Sequence, residues 1–150
     1  MDNYHIFLDR LKKILKKKQL KFTHQREMVL KALYYNQGHF SPEEILYKIK
    51  EKNPGVKIGI ATIYRTLALL EEEGLAESIS FGKDGKKYEI AKNTHHDHLI
   101  CIICKKIVEF VDETIEARQE AVAKKFDFKM VGHSMKIYGV CKECQKNMER

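Results

Sequence analysis

The sequence predicts an α+β protein in two parts, an N-terminal winged helix-turn-helix domain followed by a small α+β domain. Apolar residues recur at helical spacing through the first half, and the period changes to two at residue 76. The second half mixes strand-like and helix-like segments. We expect domains over residues 1–91 and 95–150, joined by a short hinge at about 92–94.

Four helices are predicted in the first half, and their ends carry capping residues. Thr23 is a suitable N-cap. The stretch Ser41-Pro42-Glu43-Glu44 combines a capping box with proline at the first helical position, where its missing N–H costs nothing. Glycine follows the second and fourth helices, at Gly38 and Gly74. We expect these helices over residues 5–19, 23–38, 41–53 and 59–73.

A β-hairpin is predicted directly after the fourth helix. Residues 76–81 and 86–90 alternate in polarity on either side of the turn Gly82-Lys83-Asp84-Gly85. Helices followed by a hairpin are in the order of a winged helix-turn-helix. In that arrangement the fourth helix would be the recognition helix and the hairpin would be the wing.

The predicted recognition helix has one apolar face and one polar face. We expect the apolar face, formed by Ile60, Ile63, Leu67 and Leu70, to pack inward. The far side then carries Ala61, Thr62 and Arg65, with Tyr64 at the edge of the apolar stripe. Such a face suits entry into the major groove of DNA, where an arginine can hydrogen-bond a base edge with two N–H groups.

The positive charge of the chain lies almost entirely in the first half. The formal net charge is +7, and residues 1–92 carry 18 basic and 12 acidic side chains. Eight basic residues and no acidic residue occur between Arg10 and Arg26. This excess favours a polyanionic partner. A solvated helix face would explain the lysine run equally well if it stood alone.

No membrane segment or secretion signal is expected. The longest apolar run, over residues 99–104, is far shorter than the roughly 20 residues that span a bilayer. The N-terminus lacks the apolar region and the small-residue cleavage site of a signal peptide. We therefore expect a cytoplasmic protein, in which stable disulfides are disfavoured and four cysteines need another explanation. In the second half we expect strands over 99–103, 107–111 and 129–138, and a helix over 113–126.

The four cysteines form two CxxC pairs, Cys101/Cys104 and Cys141/Cys144. Two residues between cysteines allow both sulfur atoms to approach one ion. Two such pairs complete the tetrahedral four-thiolate site of structural Zn²⁺. A pair of redox-active dithiols is the alternative explanation. Bound zinc would also stabilise a domain that is short for folding alone.

Four potential metal ligands stand in a row at His95-His96-Asp97-His98. In an extended strand, alternate side chains point to opposite faces, so this run predicts two different sites. Nitrogen and oxygen ligands suit Fe²⁺, Mn²⁺, Zn²⁺ or Ni²⁺. A solvated histidine loop is the alternative. Further candidate ligands elsewhere in the chain are His39, Glu89, Glu109, Glu116 and His133.

The sequence resembles the ferric uptake regulator family over essentially its full length, and most closely the members from Helicobacter and Campylobacter, which carry both CxxC pairs. The matching stretches occur in both halves of the chain. They are residues 20–26, 38–44, 60–67, 87–89, 95–101 and 141–144.

The resemblance implies a homodimeric, metal-dependent regulator that binds operator DNA and represses iron uptake genes, with a tetramer left open. It implies that the second half is a dimerisation domain. It also implies DNA contacts by Lys21, Tyr64 and Arg65, to which the helix face adds Thr62.

The same resemblance assigns three metal sites. Structural Zn²⁺ would be bound by Cys101, Cys104, Cys141 and Cys144. Regulatory Fe²⁺, replaceable by Zn²⁺ or Mn²⁺ in vitro, would be bound by His39, Glu89, His96, His98 and Glu109. An accessory site would use His95, Asp97, Glu116 and His133.

The sequence leaves three alternative functions open. Members of the family sense zinc, manganese, nickel or peroxide, and glutamate at positions 89 and 109 favours an iron-type regulator over a peroxide sensor. A zinc-dependent hydrolase needs an open metal position and a general base such as Glu109, but the sequence has no HExxH motif. A metal store or chaperone is a third reading. We expect neither an enzyme nor a small-molecule substrate.

Overall fold

The computed structural model describes residues 3–91 and 96–149, which separate after Ala91 into two compact units. The predicted hinge at 92–94 and His95 lie outside the described residues. The predicted α+β class is confirmed. The first unit contains α1 (Asn3–Lys17), α2 (His24–Tyr34), α3 (Pro42–Lys52), α4 (Ile60–Glu72), β1 (Ala76–Ser80), a 3₁₀ turn (Gly82–Asp84) and β2 (Lys86–Ile90). The second contains β3 (Asp97–Cys101), β4 (Ile107–Phe110), α5 (Glu113–Lys125), β5 (Lys136–Gly139) and α6 (Lys142–Met148).

The first unit is built around an apolar core shared by its four helices. Each helix contributes a stripe of aliphatic side chains that recur every three or four residues, so one face of the helix is removed from water. The fully buried members include Leu11, Leu15, Val29, Leu30, Leu33, Ile45, Ile63, Leu67, Leu70 and Leu75. Just beyond α1, the Lys18 ammonium lies 3.3 Å from the carboxylate of Glu73 at the end of α4. The basic N-terminal helix is therefore part of this unit.

The second and third helices begin where their capping residues predict. The Thr23 hydroxyl accepts a hydrogen bond from the Arg26 amide at the start of α2. At the start of α3, the Ser41 hydroxyl accepts from the Glu44 amide, and the Glu44 carboxylate accepts from the Ser41 amide. This capping box satisfies backbone donors that have no partner within the helix. It fixes the point at which the chain enters α3.

The wing is an antiparallel hairpin tied to the helices at one point. Ala76 pairs with Ile90 at one end and Ser80 with Lys86 at the other. Outside the hairpin, Phe40 and Tyr88 exchange two backbone hydrogen bonds of 2.8 and 2.7 Å. This isolated bridge joins β2 to the segment just before α3. Gly74 has a φ of +78°, which turns the chain from α4 into β1 at little steric cost.

The second unit has a three-stranded mixed sheet in the order β4-β3-β5. β3 pairs with β4 in antiparallel fashion and with β5 in parallel fashion. Its only buried apolar side chains among the described residues are Ile100, Cys101 and Cys144. This unit therefore has a very small core. No helix within the described ranges is both long and apolar enough to cross a bilayer.

Several boundaries differ from the sequence-based prediction. The first helix covers Asn3–Lys17 rather than 5–19, and α2 ends at Tyr34, four residues before Gly38. β3 begins at Asp97 and ends at Cys101, rather than covering 99–103, because residues 102–104 form the turn between the first two cysteines. The long strand predicted over 129–138 is wrong, since only Lys136–Gly139 pairs with β3. The sequence analysis also missed α6.

One residue of the recognition helix was placed on the wrong face. Ile60 is the first residue of α4 and is 37% exposed rather than buried. Thr66 is buried with Ile63, Leu67 and Leu70. Its hydroxyl donates a hydrogen bond to the Thr62 carbonyl one turn earlier, at 2.7 Å, and this satisfies a polar group inside the core.

Replacing Ser41 with alanine should destabilise the first unit by about 1 kcal/mol, because the capping box loses its side-chain acceptor. Urea unfolding monitored by circular dichroism measures the change. Ser41→Asn is the matched control, since asparagine is an equally good N-cap and should keep most of the stability. Equal losses for the two variants would contradict a capping role.

Candidate metal centres and nucleic-acid interface

The four cysteine sulfur atoms lie at the spacing of a tetrahedral metal site. Sγ of Cys101 is 3.8 Å from Sγ of Cys144, and Sγ of Cys104 is 3.7 Å from Sγ of Cys141. Thiolates at 2.3 Å from a tetrahedral zinc ion are about 3.8 Å apart, so the measured spacing fits this ion. All four cysteines are free thiols. Cys101 is the last residue of β3 and Cys104 lies in the turn that follows, whereas the second pair lies at the start of α6.

Backbone amides stabilise negative charge at one of these sulfurs. The amide groups of Cys141 and Cys104 donate hydrogen bonds to Sγ of Cys101. They lower the pKa of Cys101 to about 6. Hydrogen bonding to Cys141, followed by burial, raises the pKa of Cys144 to about 12. The cluster therefore contains one sulfur prepared as a thiolate at neutral pH, the form that binds metal.

A buried histidine–glutamate pair lies inside the winged-helix unit. Nε2 of His39 is 3.1 Å from Oε1 of Glu89, and the two side chains are 6% and 2% exposed. The Phe40–Tyr88 bridge creates this pair, because His39 precedes Phe40 and Glu89 follows Tyr88. Burying such a pair is costly unless further interactions compensate. Imidazole nitrogen and carboxylate oxygen are both ligands for divalent ions.

A second histidine–carboxylate group lies in the second unit. His98 on β3 stands opposite Glu109 on β4 in the sheet register. Nε2 of His96 is 3.5 Å from Oε1 of Glu109, and the His96 and His98 rings are 4.7 Å apart between centroids. These three side chains offer two nitrogen ligands and one carboxylate on one side of β3.

A third group lies on the other side of the same strand. Asp97 is fully buried, and its Oδ1 is 3.9 Å from Nδ1 of His133. Nε2 of His133 is 3.0 Å from Oε2 of Glu116 on α5. One ligand atom from each residue lies within 4.8 Å of the others. His95, expected at the same site, lies outside the described residues.

The exposed face of α4 carries the residues expected to contact DNA. Tyr64 and Arg65 are exposed, whereas Thr62 is half-buried and its carbonyl oxygen accepts the Thr66 hydroxyl. Lys21 is exposed, and its carbonyl oxygen accepts a hydrogen bond from the Arg26 guanidinium. Exposed lysines also follow one side of α1, namely Lys12, Lys13, Lys16 and Lys17.

Sequence reasoning missed one residue that lies beside the exposed face of α4. Glu43 at the start of α3 accepts a hydrogen bond of 2.8 Å from the Tyr64 hydroxyl. The capping box placed Glu43 in the first turn of α3, but it could not show that this turn lies beside α4.

Comparison with known proteins places these features in one family. The model of the ferric uptake regulator family matches residues 17–138. The chain is 51% identical to the ferric uptake regulation protein of Campylobacter jejuni over 141 residues, which is 94% of this chain and 90% of that protein.

Two solved structures are similar over most of the chain. The ferric uptake regulator of Helicobacter pylori, described as having three functional metal-binding sites, is 43% identical with a TM-score of 0.83, over 97% of this chain and 95% of that chain. The Francisella tularensis regulator, solved with iron, is 35% identical with a TM-score of 0.73, over 84% of this chain and 95% of that chain.

Replacing Cys144 with serine should remove tightly bound zinc and unfold the second unit. Structural zinc contributes on the order of 10 kcal/mol in small domains, far more than the small core seen here. Metal analysis after dialysis measures the zinc content, and hydrogen exchange resolves which unit loses protection. Glu143→Gln is the control, since Glu143 is an exposed residue between Cys141 and Cys144 and its replacement leaves all four sulfur ligands in place. A Cys144→Ser protein that keeps its zinc would contradict a thiolate site.

Proposed function

The chain belongs to the ferric uptake regulator family, and from that premise we propose that it is a sequence-specific DNA-binding repressor of iron uptake and homeostasis genes, activated by Fe²⁺. Its relatives are named as ferric uptake regulators, which supports a regulator rather than an enzyme. We propose that it acts in the cytoplasm on double-stranded operator DNA and has no small-molecule substrate.

The observation that carries this proposal is the His39–Glu89 pair. Two metal-ligand side chains lie 3.1 Å apart inside the unit that would contact DNA, and they come from positions 50 residues apart in the chain. A DNA-binding module needs no such buried pair for folding or for phosphate contacts. Its presence there supports a link between metal binding and DNA binding.

We propose that the regulatory ion takes ligands from both units. The first unit provides the buried pair, and the second provides the group on one side of β3. When bound, Fe²⁺ supplies a positive centre that is coordinated by carboxylate oxygens and imidazole nitrogens at the same time. The proposed ligands are His39, Glu89, His96, His98 and Glu109, with an accessory site formed by His95, Asp97, Glu116 and His133 and a structural Zn²⁺ site formed by Cys101, Cys104, Cys141 and Cys144.

The proposed mechanism is a shift in population. Ligands that belong to two units and share one ion restrict the segment that joins the units. We propose that this shared ligation favours one orientation of the two units. In the proposed homodimer, that orientation presents the two recognition helices to two half-sites. The protein gains DNA affinity only by as much as the ion prefers this orientation.

DNA contacts are proposed for both specific and non-specific binding. Arg65 and Tyr64 would read base edges, with Thr62 beside them, and Lys21 would contact the minor groove. The lysines of α1 would contact phosphates and make affinity fall with rising salt. Together these groups account for the charge excess of the first half.

The second unit supports a homodimer. Leu99 lies between Val108 and Ile137 in the sheet register, and all three are more than 40% exposed. Phe126, Phe128 and Val131 are still more exposed. An apolar surface of this kind on a unit with so small a core favours burial against a second copy of the chain. Size-exclusion chromatography with light scattering distinguishes a dimer from a tetramer.

Replacing Glu89 with glutamine should weaken activation by metal at least about tenfold. Glutamine keeps the shape of glutamate, but the proposed regulatory site then lacks one charged ligand. The measurement is fluorescence anisotropy of labelled operator DNA during titration with Mn²⁺.

The matched control is Glu77→Gln, which removes a carboxylate from the residue paired with Glu89 in the neighbouring strand. Glu77 is exposed, so its loss should leave the Mn²⁺ response unchanged. If both variants respond to Mn²⁺ like the unmodified protein, Glu89 is not a regulatory ligand.

Replacing Arg65 with alanine should lower operator affinity about tenfold without changing the metal content, because a bidentate base contact contributes about 1–3 kcal/mol. Arg65→Lys keeps the charge but loses the planar pair of donors. It should therefore retain binding to a scrambled duplex and still lose preference for the operator. Full operator preference in Arg65→Lys would show that this residue provides charge alone.

A further inference from the structure

A side-chain hydrogen bond joins the two helices of the helix-turn-helix at the DNA-facing surface. The Tyr64 hydroxyl on α4 donates to Oε1 of Glu43 on α3 at 2.8 Å. Tyr64 is 48% exposed, so its ring is available for contact while its hydroxyl is held. The hydrogen bond to Glu43, with smaller effects of burial and charge, raises the pKa of Tyr64. The phenol therefore stays protonated and remains a donor at neutral pH.

The position of Glu43 is fixed by the structure around it. Pro42 and the Ser41 capping box set the first turn of α3. Directly before Ser41, Phe40 is bound to Tyr88 of the wing by two backbone hydrogen bonds. Glu44 follows Glu43, and its carboxylate lies 3.5 Å from the Lys87 ammonium of the wing. Glu43 thus lies on a short segment that contacts the wing on both sides, through Phe40 before it and Glu44 after it.

The tyrosine and the glutamate face a groove between the helices and the wing. Its volume is about 350 Å³, and its lining includes Lys83, Asp84 and Lys86 besides Tyr64 and Glu43. Lys83 and Lys86 attract a phosphate backbone, although Lys86 is paired with Glu71 at 3.3 Å, and the carboxylates of Glu43 and Asp84 oppose that attraction. A carboxylate at this position therefore needs a reason other than charge complementarity to DNA.

We propose that Glu43 is a positioning residue that holds the Tyr64 side chain in the χ1 rotamer used to contact a base in the operator. The proposal rests on the DNA-binding function proposed above. The hydroxyl oxygen of a tyrosine lies on the axis of its Cβ–Cγ bond, so a tether at this oxygen restricts the χ1 torsion, which sets where the ring lies, and leaves χ2 free. Its ordering cost is then met in the free protein rather than on binding DNA.

The size of the effect follows from that cost. Immobilising one side chain at an interface reduces affinity by about twofold to tenfold, and a preformed tether removes this penalty. The unfavourable charge of Glu43 acts in the opposite direction and equally on all DNA sequences. Glutamine separates the two effects, because its amide oxygen still accepts from the Tyr64 hydroxyl while the charge is gone.

The test compares Glu43→Gln with Glu43→Ala in the full-length protein with Mn²⁺. The probes are a duplex selected from a random pool by the unmodified protein and a scrambled duplex of the same composition. Both variants lose the same charge at the same position of α3, so electrostatic effects cancel in the comparison. Each substitution is repeated in the Tyr64→Phe background, which has no hydroxyl to tether.

The expected result is that Glu43→Ala binds the selected duplex about twofold to tenfold more weakly than Glu43→Gln, with equal affinities for the scrambled duplex. In the Tyr64→Phe background this difference should disappear. Equal binding of the selected duplex by the two variants, or the same difference without the hydroxyl, would overturn the proposal. Failure of the unmodified protein to prefer the selected duplex would instead refute the DNA-reading function on which the role of Glu43 rests.

A measurement without DNA tests the tether itself. Three-bond NMR couplings report the χ1 torsion of Tyr64. We expect one rotamer in the unmodified protein and in Glu43→Gln, and averaging among rotamers in Glu43→Ala. A single unchanged rotamer in Glu43→Ala would also overturn the proposal, because the ring would then be held by packing alone.

Discussion

The Phe40–Tyr88 bridge is the interaction on which the arrangement of the first unit depends. Two backbone hydrogen bonds attach the segment before α3 to the second strand of the wing. Because they are made by the backbone, they fix the positions of the flanking residues whatever the side chains are. On one side of the bridge His39 is placed beside Glu89, and on the other Ser41 starts the helix that carries Glu43. One short stretch of chain thus contributes both to a candidate metal site and to the recognition surface.

That connection gives the proposed regulation a physical route within the first unit. Ligation of His39 and Glu89 would favour the geometry in which the bridge is intact, and the bridge defines where α3 begins. Glu43 lies in the first turn of α3 and holds Tyr64 on α4. The orientation of a recognition residue and the ligand geometry of the buried pair would therefore share one backbone constraint. These contacts form a continuous chain from the buried pair to the recognition residue.

The sequence predicts best what is local. Thr23 and Ser41 mark helix starts because capping is a contact between residues three apart, and the CxxC spacing predicts a turn of the correct size. The approach of His39 to Glu89 depends on an isolated bridge between residues that are 48 apart, and no periodicity encodes it. The sequence-based prediction extends a strand over 129–138, whereas β5 covers only Lys136–Gly139. In the structure, His133 of that segment instead lies against Asp97 and Glu116, and only the last residues pair with the sheet.

The second unit explains why two kinds of metal chemistry would be used in one chain. With three buried apolar side chains among its described residues, this unit cannot rely on a hydrophobic core. Thiolates bind zinc tightly and form a closed shell, so an ion held by the four cysteines would behave as part of the fold. A site of imidazoles and carboxylates binds more weakly and releases its ion when the supply falls. A metal sensor needs reversible binding at its regulatory site and permanent binding at its structural site. In the proposed function, the difference in ligand type would separate these two behaviours.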